Sequence, residues 1–112
     1  MTLLFKICTG AEWQSAVQNG AYEGSLIDRQ DGFIHLSARH QVMETAVRHF
    51  SGQADLVLVA IDDAALTAAL RWENSRGGDK FPHLYGKIPI TEVQWVRPLL
   101  YHEGRHVFPE SF

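Results

Sequence analysis

The sequence predicts an α+β fold: a small split or half-open antiparallel sheet with two main helices on its faces. Three observations predict it. The apolar runs are short, of strand length, and separated by tight turns marked by Gly, Asp and Pro. Two segments carry helical periodicity instead. Only two connections are long enough for helical crossovers, too few for a regular doubly wound parallel sheet.

The elements follow in order. Residues 3–8 form an apolar run, a buried first strand. Thr9-Gly10-Ala11-Glu12 fits a capping box, and the helix behind it carries Trp13, Ala16 and Val17 until Gly20 stops it. Residues 22–27 read as a second, irregular strand, and 28–32, ending in Asp-Gly, as a turn. Residues 33–36 form a strand, with Ser37 placed to cap a helix over 38–50. Its stripe is Val42, Met43, Ala46, Val47 and Phe50. Residues 56–61 are a continuous apolar run, a central strand. Residues 70–74 alternate, which places Leu70, Trp72 and Asn74 on a buried side and Arg71 and Glu73 opposite. Pro82 makes 81–85 an edge or non-strand segment, and residues 93–96 form a last strand stopped by Pro98.

With 112 residues there is room for one hydrophobic core. Residues 1–100 are read as a single domain, and 101–112, which lack any period, as a loosely packed C-terminal tail. A net charge of −3 without a basic cluster argues against DNA as a partner. The single cysteine, Cys8, excludes an internal disulfide framework and a cysteine-based zinc cluster. The longest apolar run falls far short of the ~20 residues of a membrane span. No basic stretch followed by an apolar core opens the chain, so a cytoplasmic protein without a membrane partner is expected.

Three segments carry polar chemistry. In Asp31-Gly32-Phe33-Ile34-His35-Leu36-Ser37, alternation sends Ile34 and Leu36 one way and Phe33, His35 and Ser37 the other. Histidine there can donate a hydrogen bond or carry a proton near neutral pH. It can equally be a core histidine, with Ser37 only a cap. In Arg71-Trp72-Glu73-Asn74-Ser75-Arg76-Gly77-Gly78, Arg76 stands at the lip of a glycine loop, and arginine binds phosphate or carboxylate through paired hydrogen bonds. A solvated surface hairpin fits the same residues. In Phe81-Pro82-His83-Leu84-Tyr85-Gly86, His83 and Tyr85 share a side with Phe81, a wall able to stack on a flat ring. Asp28 and Arg29 could add a charge clamp or be plain turn residues. Together, three polar faces opposite apolar ones describe a cleft better than a core. A metal site is not expected: His40 and His49 fall on opposite helix faces, and His102 and His106 lack a third ligand.

These residues also carry a resemblance. Phe5-Lys6-Ile7-Cys8 with Glu12-Trp13, then Gly24-Ser25-Leu26, Gly32-Phe33-Ile34-His35-Leu36-Ser37, Leu70-Arg71-Trp72-Glu73 and Pro82-His83-Leu84-Tyr85-Gly86 resemble the family catalogued as domain of unknown function 952. The resemblance covers about residues 3–99. It implies the ADP-ribosyltransferase-like fold group, whose half-open antiparallel sheet forms a nicotinamide-nucleotide cleft. It further implies His35 on the adenosine ribose and His83 or Tyr85 on the nicotinamide. The late strand here has no glutamate of the kind such enzymes use; Glu92 and Gln94 are nearest.

The functional expectation combines both lines: a His/Tyr cleft for a nucleotide or other anion, with NAD or an ADP-ribosyl derivative as substrate and no resident cofactor. His35, His83, Tyr85 and Glu73 take the catalytic parts. Ser37, Arg29, Arg76 and Phe81 hold the ligand, the arginines meeting the pyrophosphate. The alternative is a non-catalytic nucleotide-binding, anion-binding or protein-interaction module in the same cleft.

Overall fold

The computed structural model describes residues 1–112 except the side chain of Arg76. Two apolar strands organise it. β1 (Leu3–Thr9) lies antiparallel to β4 (Leu56–Asp62), with Phe5 opposite Ala60. Alternation along both strands feeds two cores. Leu4, Cys8, Val59 and Ile61 join one on one face, and Phe5, Ile7, Leu58 and Ala60 join the other. Helix α1 (Gly10–Asn19) places Trp13 and Ala16 on the first core. Its capping box is formed: Thr9 Oγ1 accepts from the Glu12 N–H at 3.0 Å, and Glu12 accepts from the Thr9 N–H at 2.9 Å. Gly20, at φ 84°, ends the helix in the left-handed region.

The sheet is antiparallel throughout, in pieces that join into a curl. β1 and β4 continue through β8 (Val93–His102) to β9 (Arg105–Val107). A second piece runs β3 (Ile34–His35), β6 (Lys80–Leu84), β5 (Leu70–Asn74) in spatial order. The two meet where the Phe5 and Ser37 N–H groups each donate to the other's carbonyl, at 2.8 and 2.9 Å. A third piece pairs β2 (Ala21–Tyr22) with β7 (Ile88–Pro89). The expected α+β class with a split, bent antiparallel sheet is therefore present.

Several local expectations are corrected. Residues 28–32 are not a turn. Residues 28–31 belong to helix α2 (Leu26–Asp31), opened by a second capping box between Ser25 and Asp28 and closed by Gly32 in the left-handed region. Residues 22–27 therefore leave the sheet after Tyr22. Helix α3 spans Val42–Phe50, and Ser37 does not cap it; the Ser37 hydroxyl lies 2.9 Å from that of Thr45. Only part of the stripe is core: Val42 and Ala46 are buried, whereas Met43 and Val47 are exposed. Trp72 is 44% exposed instead of buried, because β5 is the outer strand of its piece. β6, read as an edge, is instead the middle strand. Pro82 is tolerated there, and its carbonyl accepts from the Leu36 N–H at 3.0 Å.

The C-terminal residues are packed, not loose. β8 passes through Pro98, which stands opposite Val57 where β8 has one partner strand, so the missing N–H breaks no second ladder. A two-residue turn, Glu103 and Gly104 at φ 51° and 82°, then folds β9 back. Phe108 and Phe112 pack against the second core, Phe112 edge-on to Phe5 at 5.3 Å. The Arg39 guanidinium covers Phe112 at 3.7 Å.

Among the described residues the buried Tyr22 hydroxyl is without a well-formed hydrogen bond, its polar neighbour being the weakly bonding Cys8 thiol. Removing the hydroxyl should relieve a desolvation cost. Tyr22→Phe is expected to leave stability unchanged or raise it by up to about 1 kcal/mol. A loss above about 1 kcal/mol in urea denaturation would show that the hydroxyl has a partner in solution.

Candidate functional site

The short strand β3 fixes the site. Ile34 and Leu36 enter the first core, so His35 between them must face outward. Register places His35 directly opposite His83 of β6, and the rings meet edge-on at 5.7 Å. Phe33 stacks on His83 at 4.1 Å and also touches His35 at 4.6 Å and Tyr85 at 5.3 Å. Two imidazoles and a phenol from remote stretches thus surround one phenyl ring.

Each imidazole is oriented by a carboxylate. The His83 ring lies with Nδ1 2.8 Å from Glu73 Oε1, and the Tyr85 hydroxyl donates to the same oxygen at 2.7 Å. Glu73 reaches both because β5 runs beside β6 and Arg71 and Glu73 share its outer side. These two hydrogen bonds, Tyr85's first, hold the Glu73 carboxyl below the usual carboxylate range. The Tyr85 hydroxyl is shifted up by the same bond. Glu73 is therefore an anion at neutral pH.

His35 is held at both ring nitrogens. Nδ1 lies 2.6 Å from Asp28 Oδ1, and Nε2 lies 3.0 Å from Asp31 Oδ2. A neutral ring can donate to only one of these carboxylates. Asp28 and Asp31 lie three residues apart on α2, so one helix face presents both. Asp28 is 2% exposed and densely partnered. It accepts from Lys6 Nζ at 2.7 Å, from the Ser25 N–H at 2.9 Å and from the His35 N–H at 3.1 Å. Burial alone pushes its carboxyl up; the His35 hydrogen bond and the Lys6 charge outweigh burial and hold it well below the usual range. Lys6, also buried, donates in addition to the His35 carbonyl at 3.1 Å.

Lys6, Asp28, Asp31, Phe33, His35 and His83 line a groove of about 1030 Å³; Glu73 and Tyr85, predicted as catalytic, do not line it and stand behind His83. Its lining runs from Asp31, His35 and His83 past Ser37 and Phe81 to Thr45 and Arg48. That volume would enclose a nucleotide-sized molecule. Of the proposed ligand-holding residues, Ser37 and Phe81 line this groove. Arg29 does not: it lines a separate hollow of about 300 Å³ beside α1, because the α2 face that carries Asp28 and Asp31 turns Arg29 away. The Arg76 side chain lies outside the described residues. Among those residues no group of three His, Cys, Asp or Glu could hold a metal ion. Cys8 is buried, and burial pushes its thiol up to about 12, which makes it a poor nucleophile.

Lys6 and Asp31 join the site without having stood out in the sequence as site residues, and Asp28 read equally well as a plain turn residue. A signal for Lys6 was present: it is the one charge in the apolar run Leu3-Leu4-Phe5-Lys6-Ile7-Cys8, at the parity of buried Leu4 and Cys8. A lysine in that position needs a buried anion.

The family model described as Protein of unknown function (DUF952) matches residues 7–96. The chain belongs to the DUF952 family. The span includes Asp28, Asp31, His35, Glu73, His83 and Tyr85. This DUF952 protein is also similar to solved structures of protein CC0527 from Caulobacter crescentus. The crystal structure is 48% identical, with 95% of this chain and 94% of that one covered and a TM-score of 0.89. The solution NMR structure is 47% identical, with 95% and 91% covered and a TM-score of 0.84. No curated protein matches this DUF952 chain.

Proposed function

We propose that the groove binds a nucleotide of the NAD or ADP-ribosyl type and acts on the bond between its ribose and base. The observation that carries this reading is the His83–Glu73 pair: His83 lines the groove in an aromatic and imidazole wall, and Glu73, an ionised carboxylate fixed by two hydrogen bonds, stands directly behind it. Cleaving an N-glycosidic bond releases the base with the bonding electron pair and moves positive charge onto the sugar, whose C1′ then bonds to a water that loses a proton to solvent; a nearby fixed carboxylate stabilises that charge. In this reading the Phe33 ring packs on the base with Tyr85 supporting it from behind, and His35 with Asp31 meets the ribose hydroxyls. His83, donating through Nδ1 to Glu73, presents Nε2 toward the base, an acceptor on the neutral ring and a donor on the protonated one. Ser37 and Phe81 line the far wall, where the remainder of the ligand lies. The expected likeness to ADP-ribosyltransferase-like proteins is part of this proposal. The bent antiparallel sheet and the histidine on an early strand support it. Because Arg29 faces another hollow, the reading assigns it no part in ligand binding.

A second reading keeps the groove and drops the chemistry, leaving a nucleotide-binding module. One oxygen of Glu73 receives both hydrogen bonds, which favours a structural use of that carboxylate. Thermal shift with NAD, NADP and ADP-ribose tests binding. At 100 times Kd a ligand adds about 2.7 kcal/mol, roughly 4–8 °C for a domain of this size. No rise with any of them contradicts both readings. Release of free nicotinamide from NAD then separates enzyme from module.

A further inference from the structure

Resting on that reading of the same groove, we propose that the site selects the cationic half of such a nucleotide, an N-ribosyl pyridinium nucleoside, over the diphosphate half. The first observation is the charge of the lining. Five carboxylates face two permanent cations among the described lining residues. Both cations are already engaged: Lys6 with Asp28 at 2.7 Å and Arg48 with Glu44 at 2.9 Å. Asp31, Asp79 and Glu12 remain, and Glu73 stands behind His83 as a further anion. Such a lining repels a pyrophosphate and attracts a cation.

The second observation is the ring wall. Phe33 lines the groove together with His83 and Asp31, and the Tyr85 ring continues the wall 5.3 Å beyond Phe33, an aromatic surface next to a carboxylate that suits a flat cation. The Tyr85 ring already has a cation within reach, the Arg71 guanidinium 5.8 Å from its centroid. A pyridinium ring carries its charge over a flat surface and is weakly hydrated, so it loses little on leaving water. Among the described residues a diphosphate has no such match: Arg29, a proposed partner, lines the other hollow. The diphosphate of a dinucleotide would then project toward the open end of the groove.

Calorimetric titration of the full chain with nicotinamide riboside, NAD and ADP-ribose tests this. The riboside is expected to bind at least about five-fold tighter than ADP-ribose. Raising salt should weaken the riboside and strengthen ADP-ribose, since screening acts on opposite charges in opposite senses. Asp31→Asn, which removes a half-exposed charge and keeps the side-chain shape, should lower riboside affinity by up to about five-fold and raise that of ADP-ribose. A purely structural role for Asp31 would move both affinities in one direction, which would overturn the inference. ADP-ribose binding as tightly as the riboside would overturn it too, while NAD binding would leave the underlying reading in place. Binding of none of the three would overturn both.

Discussion

Asp28→Ala is expected to cost about 3–5 kcal/mol of folding stability, the cost of breaking a buried ion pair from one side. The reason is the partner left behind. Lys6 has a side chain only 7% exposed, and its nearest anion is Asp28 at 2.7 Å. The Ser25 and His35 N–H groups would lose their acceptor as well. Urea denaturation measures the loss, and a value under about 1 kcal/mol would mean that water reaches Lys6. A Lys6→Met, Asp28→Ala double variant should recover part of the stability, because it removes the stranded charge. The same pair contributes to the acid sensitivity of the fold. The folded carboxyl lies below its ordinary 3.8. Between the two values the unfolded chain takes up a proton that the native state refuses. The contribution is therefore complete above about pH 4–5 and declines as pH falls further. The Asp28→Ala variant should lack that part of the slope.

Glu73→Gln carries the largest expected effect on chemistry. The amide keeps the size and one acceptor but removes the charge that stands behind His83 and acts across it on a developing oxocarbenium ion. Nicotinamide release from NAD should fall about 10²–10³-fold, the scale found when one preorganised electrostatic contact is lost. Folding should change little, since Glu73 is partly exposed. Unchanged turnover with retained binding would assign Glu73 to holding His83 and Tyr85 in place and nothing more. The pH profile separates these outcomes further. Glu73 ionises below the usual carboxylate range, so its charge is present throughout neutral pH and should add no titration there.

Much of the fold was legible because its signals are local. Thr9 and Glu12 announced α1, Gly20 its end, and the runs around Phe5 and Leu58 the two central strands. The outward face of His35 followed from alternation about Ile34 and Leu36. What escaped depended on contacts far apart in sequence. Leu26 and Ile27 read as strand residues, yet they are exposed on a six-residue helix. That helix exists because Ser25 and Asp28 cap it and because Asp28 meets Lys6, 22 positions earlier in the numbering. Ser37 looked like a cap but is spent on bridging the two sheet pieces through Phe5. Trp72 obeyed alternation and still ended half in solvent, since nothing in a strand's pattern tells that it lies at the edge. The candidate site shows the same division. His35, His83, Tyr85 and Glu73 were legible as strand-face residues. The carboxylates of α2 that grip His35 became visible only once the chain was folded.

The most direct measurement is of the histidine rings themselves. Imidazole nitrogen and carbon resonances of all six histidines can be followed by NMR while NAD is titrated into the full chain. The cleft account predicts that the His35 and His83 signals move together and saturate with one affinity, while those of His102 and His106, on the β8–β9 hairpin, stay in place. Saturable binding that leaves His35 and His83 unmoved would contradict it.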